Sequence, residues 1–175
     1  MKAVGHVATA LIAATPVIFY REHLPEYLGA DAMNNYELLW WCGLFSVMPD
    51  TDIILRKFLP IKHRGYLSHS IWTVLIAGAL VITGFILAKQ EIIPALKYCT
   101  PYSAFLASFS VLMHLAGDSI TKTGVPFFLP NKACHFPFIG GYAAFDNYFL
   151  NAIPVATAAF LVSSVFGYNP GMMKY

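Results

Sequence analysis

The chain has 175 residues, of which 58% are hydrophobic and only 11% charged. An average globular domain carries about 25% charged residues, so a soluble compact domain is excluded and the long apolar windows read as membrane-crossing. A net charge of +2 is too small to point to nucleic acid, and Cys42, Cys99 and Cys134 lack the C-x-x-C spacing of a thiolate zinc site or the even count of a disulfide framework.

The sequence predicts one integral-membrane domain over residues 1–175, an all-α polytopic helical bundle of about five spans. Residues 3–20 form the first, with His6 inside it and Pro16 as a tolerated kink. A signal peptide is the alternative for this stretch, but His6 interrupts the run and no small-x-small cleavage site follows. Residues 21–37 are a polar, slightly acidic loop. A second span begins near Leu38, with Trp40 and Trp41 as interfacial anchors, and its apolar part ends at Met48.

Pro49-Asp50-Thr51-Asp52 comes next, followed by Ile53-Ile54-Leu55. Two carboxylates between apolar segments point to function, because ionisable groups at membrane depth are costly; Asp50 as the cap of a following turn is the competing reading. Arg56, Lys57, Lys62 and Arg64 make the most basic loop, which contains His63-Arg64-Gly65-Tyr66-Leu67-Ser68-His69-Ser70 and leads into a third span, 71–88. Ser68 or Ser70 could cap that helix, and the cations also satisfy the positive-inside rule.

A short loop, 89–101, precedes the fourth span, about 102–120. His114 and Asp118, four residues apart near its end, share one helix face. They suit either a divalent metal or a histidine–aspartate helix cap. Residues 121–143 form the longest loop. Its aromatics (Phe127, Phe128, Phe136, Phe138 and Tyr142) predict packing on the membrane surface or over a pocket. His135 beside Cys134 reads more simply as a surface or packing histidine than as a ligand. The last span covers roughly 146–167, with Asp146 at its start and Pro154 inside.

Five spans divide the loops between two sides. Lys2, Arg56, Lys57, Lys62, Arg64, Lys122 and Lys132 fall on one side, and Arg21, Lys89, Lys97 and Lys174 on the other. This bias predicts a cytoplasmic N-terminus. His6, Asp50, Asp52, His63, His69, His114 and Asp118 all fall at that same face, whereas Glu22, Glu26, Glu37 and Glu91 fall opposite. Orientation rules do not demand this segregation, since acids contribute little to them. Ligand-type side chains gathered from several helix ends predict a site for one or two divalent ions.

In these residues the chain resembles the membrane-bound metal-dependent hydrolases of bacterial and archaeal inner membranes. Their shared pattern is an early histidine, P-D-x-D, H-R-G-x-[ST]-H-S and a late H-x-x-x-D-x-x-T-x-x-G. The counterparts here are His6, Pro49 to Asp52, His63-Arg64-Gly65 with Ser68-His69-Ser70, and His114 through Gly124, all within residues 6–126. His63 and His69 stand six positions apart, against five in the family pattern, so His63 as a ligand and His63 as a bystander both stay open. The His/Asp set is more distantly similar to zinc-dependent phospholipase C and single-strand nucleases, which implies phosphodiester chemistry by analogy alone.

The expectation is therefore a metal-dependent hydrolase of the prokaryotic cytoplasmic membrane, its site facing the cytoplasm. Zinc would be held by His6, Asp50, His63, His69, His114 and Asp118. Asp52 would be a ligand or general base, Arg64 a clamp for a phosphate oxygen, and Ser70 and Thr121 orienting partners. The substrate expected is a lipid or lipid-linked phosphoester drawn from the bilayer. Two rivals remain: a metal or proton transporter, and a protein whose metal only staples helix ends. The absence of ionisable groups in 71–88 weighs against transport.

Overall fold

The computed structural model describes residues 3–121, 123–130, 132–135 and 148–167. Helix α1 (Ala3–Phe19) contains Pro16 and runs into a 3-10 turn, Tyr20–His23. Helix α2 (Asn35–Ser46) starts at a capping box, in which the Asn34 side chain accepts from Glu37 N–H at 3.0 Å while Glu37 accepts from Asn34 N–H at 2.7 Å. Pro49 opens a tight turn, Pro49–Thr51, and the short helix α3 (Asp52–Leu55) follows. Helix α4 (Ile71–Lys89) is capped by Ser70, which settles the choice left open between Ser68 and Ser70. Helix α5 (Pro101–Ser119) has Thr100 as its cap and Pro101 in its first turn, where the missing N–H costs nothing. Strands β1 (Val125–Leu129) and β2 (Lys132–Cys134) make an antiparallel hairpin with Val125 opposite Cys134, and α6 (Tyr148–Gly167) closes the described chain.

Helix α5 is the axis of the bundle and packs against α1, α2 and α4. Tyr102, near its start, donates to the Val17 carbonyl near the end of α1 at 3.1 Å, while Asp118 near its end lies beside His6 near the start of α1. Helices α1 and α5 are thus antiparallel. Helix α4 is antiparallel to α5 as well: Ser108 donates to Val74 O at 3.0 Å, and Gly84 lies against Cys99. A Cβ on Gly78 would stand 2.4 Å from Ser108 Oγ, so small residues let these two helices approach closely. Helix α2 runs parallel to α5, with Trp41 bonded to Ser103 O and Ser46 O bonded to His114. The start of α1, the end of α2, the start of α4 and the end of α5 consequently meet at one end of the bundle.

Among the described residues, two helical segments, Val4–His23 and Ile71–Lys89, are long and apolar enough to cross a membrane, with a third if α2 and the Pro49–Leu55 segment form one span bent by 48°. The expectation of five spans is not supported. Helix α2 alone has 12 residues and reaches about 18 Å, against the roughly 30 Å of a hydrocarbon core. Helix α5 is long enough, but Ser103, Ser108, Ser110, His114 and Asp118 make it an internal axis in place of an apolar span. In α6 the described apolar stretch is only Ala152–Leu161. Phe136, Phe138, Tyr142 and Asp146, given roles in the sequence reading, lie outside the described residues.

Candidate metal centre

Two loops and two helix ends supply the site. Helix α2 stops at Ser46, and Pro49 turns the chain so that Asp50 faces the end of α5 and Asp52 faces the 63–69 loop. Asp50 does not cap this turn, since no side-chain cap bond is made there. Asp52 is buried and accepts three hydrogen bonds: from His63 Nδ1 at 2.9 Å, from Arg64 N–H at 2.9 Å and from Ser68 Oγ at 2.7 Å. The 63–68 loop is therefore wrapped around one carboxylate. Arg64 takes a left-handed φ of 54° to present its N–H, and Gly65 follows because a Cβ there would sit 2.8 Å from Lys62 O. This is the physical content of the His-Arg-Gly sequence.

Four acceptor atoms converge beside that loop: Asp50 Oδ1, His69 Nε2, His114 Nε2 and Asp118 Oδ2. His69 Nε2 lies 3.8 Å from Asp50 Oδ1 and 3.4 Å from Asp118 Oδ2; His114 Nε2 lies 3.7 Å and 3.6 Å from the same two oxygens. Zinc bonds of about 2.0–2.2 Å at the tetrahedral angle would place neighbouring ligand atoms about 3.3–3.6 Å apart. The four histidine–carboxylate separations match within a few tenths of an ångström, and by metal-ligand spacing Asp50, His69 and His114 form one group while Asp118 groups with His6 and His114.

The protons on the two imidazoles follow from their other contacts. His114 Nδ1 is 2.6 Å from the Ser46 carbonyl, which can only accept, so Nδ1 carries a hydrogen and in the neutral ring Nε2 is left with a lone pair. Ser68 donates to the Asp52 carboxylate, so its oxygen accepts from His69 Nδ1 at 2.9 Å, and in the neutral ring His69 Nε2 keeps a lone pair too. Neither Nε2 makes a hydrogen bond, although both are fully buried. With both rings neutral, two imidazole lone pairs would face two carboxylate oxygens, Asp50 Oδ1 and Asp118 Oδ2. Burying these carboxylates is unfavourable without compensating positive charge, and two imidazole nitrogens beside two carboxylate oxygens fit a divalent metal.

The remaining predicted residues lie around this cage. His6 stacks on His114 with centroids 3.7 Å apart, and its Nε2 reaches the other Asp118 oxygen, Oδ1, at 3.1 Å. Arg64 Nη2 donates to that same Oδ1 at 2.6 Å, while Nη1 donates to Thr121 Oγ1 at 3.0 Å and Thr123 Oγ1 at 2.5 Å. The guanidinium expected to face a phosphate is thus engaged in fixing Asp118. Thr121 also donates to Asp118 O at 2.7 Å, an orienting contact. His63 is held by Asp52 outside the four-atom cage, although Asp50, Asp52 and His63 also form a group with metal-ligand spacing, as do His6, His114 and Asp118. Ser70 serves as the α4 cap. Cys134 and His135 line a separate cavity of about 280 Å³ with Leu112, Leu115 and Phe127.

Sequence reasoning read Ser68 only as a possible cap and a motif member, and missed Thr123 and the Ser46 carbonyl. Only the path of the loop shows the Ser68 hydroxyl between Asp52 and His69. The Ser46 carbonyl left no signal in the side-chain sequence.

Apolar helices and a buried His/Asp cage of metal-ligand geometry define an integral membrane protein with a candidate metal centre at one end of its bundle. The family model described as YdjM inner membrane protein matches residues 1–172, and the chain belongs to that family. Comparison with curated proteins and with solved structures finds no match.

Proposed function

We propose that this protein is a metal-dependent hydrolase of the prokaryotic inner membrane, acting on a lipid or lipid-linked phosphoester at the cytoplasmic surface. The observation that carries the reading is the convergence of Asp50, His69, His114 and Asp118 at metal-ligand separations. Zinc suits two imidazoles and two carboxylates, and when bound it would lower the pKa of a coordinated water from about 15.7 towards about 7. Asp50 is the one member of the cage with any side-chain exposure, 17%, so a substrate would approach past it. His63, 31% exposed and tied through Nδ1 to Asp52, stands at that mouth. Its Nε2 is the group placed to accept or return a proton, with Asp52 fixing the tautomer. Arg64 and Thr121 hold Asp118 in place, and His6 backs His114.

The cytoplasmic facing rests on the cations of the 56–64 loop. The test is zinc content together with headgroup or phosphate release from a panel of phospholipids. Wild type should show both, and His114→Ala and Asp118→Asn should lose both. Zinc without turnover on any phosphoester, amide or ester would favour the second reading, a metal that staples helix ends. That reading is supported by the cage joining segments from the ends of α2, α4 and α5 with three of its four side chains fully buried.

A further inference from the structure

From within α3 to the histidine loop runs a stretch, 53–62, with the sequence Ile-Ile-Leu-Arg-Lys-Phe-Leu-Pro-Ile-Lys. It interleaves large apolar residues with three cations and contains no acid. Ile54, Leu55, Phe58 and Leu59 all face outward, Phe58 with 80% exposure. Surrounded only by water, these side chains would form an unburied apolar patch. Sunk in hydrocarbon, Arg56, Lys57 and Lys62 would be stranded. The boundary between the two suits both sets, with apolar side chains among acyl chains and cations at the phosphates. A neighbouring pair marks the same depth independently: Trp72 Nε1 donates to Tyr66 OH at 2.7 Å on an exposed surface. Such amphipathic rings belong at headgroup level.

We infer that segment 53–62 is a docking surface for anionic phospholipid headgroups. Asp52 precedes it and His63 follows it, and these two are bonded to each other at 2.9 Å, so the segment is a loop whose two ends meet at the mouth of the site. A headgroup held on it lies beside Asp50 and His63. Delivery of substrate by this surface rests on the hydrolase reading; the binding of anionic lipid does not.

Native mass spectrometry of the full chain in detergent tests the inference, with phosphatidylglycerol and phosphatidylethanolamine as competing probes and zinc measured in the same samples. Wild type should retain phosphatidylglycerol preferentially. Each cation near an anionic surface contributes about fivefold, so the triple variant Arg56→Gln, Lys57→Gln, Lys62→Gln should lose on the order of a hundredfold in that retention. Lys89→Gln with Lys97→Gln, at the other end of α4, should keep it. Phe58→Ser should weaken retention of both lipids and leave the preference between them. Equal retention of the two lipids by wild type, equal loss in the two multiple-charge variants, or a dimer built through 53–62 in place of bound lipid would each overturn the inference. A wild type that prefers phosphatidylglycerol yet binds no zinc would uphold the docking surface and remove the hydrolase reading.

Discussion

Ser68→Ala probes the logic of the site without touching a ligand. The hydroxyl stands 2.7 Å from Asp52 Oδ2 and 2.9 Å from His69 Nδ1, donating to the first and accepting from the second. Removing it deletes a hydrogen bond to a buried carboxylate, at a cost of about 1.5–3 kcal/mol in stability. It also frees the His69 ring, whose Nε2 lone pair depends on Nδ1 keeping its proton. Loss of such an orienting partner typically costs about 10–100-fold in metal affinity. His69 Nδ1 already lies 3.5 Å from Asp52 Oδ2, so its N–H can donate directly to that carboxylate after a small shift of the ring. The loss should therefore fall near the lower limit, about tenfold. Zinc competition against a chromophoric chelator measures it, with thermal unfolding of the metal-free protein in parallel. Ser68→Thr, which keeps the hydroxyl, should restore most of the affinity. Wild-type zinc affinity in Ser68→Ala would refute the tautomer lock.

Four further outcomes follow from the geometry. His114→Ala and Asp118→Asn should each lose most bound zinc, because too few donors of fixed geometry remain, whereas the exposed His23→Ala should retain it; equal loss in all three by elemental analysis would indicate misfolding instead. Arg64→Lys keeps the charge but cannot hold Asp118, Thr121 and Thr123 through one planar fork, so zinc affinity should fall together with any turnover; turnover reduced by about a hundredfold or more at unchanged zinc affinity would instead restore Arg64 as a phosphate clamp. Gly65→Ala should destabilise the protein by about 1–3 kcal/mol, since the new Cβ would stand 2.8 Å from Lys62 O, and a thermal melt equal to wild type would contradict that crowding. Cysteines placed at Lys62 and Glu91, beyond the two ends of α4, should label from opposite sides of the membrane with Lys62 cytoplasmic; labelling of both from one side would remove α4 as a span.

The sequence by itself determined the class of protein and pointed to the His and Asp side chains from which a candidate site could be built. Composition required a membrane, because 11% charged residues cannot clothe a soluble domain of this size. His114 and Asp118 were legible as partners because helical spacing is a local property, and Ser70 was legible as a possible cap for the same reason. Hydropathy alone overcounted the spans. It registers the average apolarity of a window, whereas the serines, histidine and aspartate of α5 become consequential only once the helix is enclosed by its neighbours. Which histidine does what was decided by the tertiary structure. His63 and His69 sit in one short motif, yet His69 points its Nε2 into the cage while His63 binds Asp52 beside it. Asp52 and Arg64 were read as chemical groups from their type, but their burial and their partners depend on the path of the 63–68 loop across two helix ends. A carboxylate's use is set by the donors that reach it, and those come from positions 11 to 16 residues away in the chain. The tautomers of His69 and His114 depend on Ser68 Oγ and Ser46 O; the latter is a backbone atom 68 residues from its partner, placed only by the parallel packing of α2 on α5.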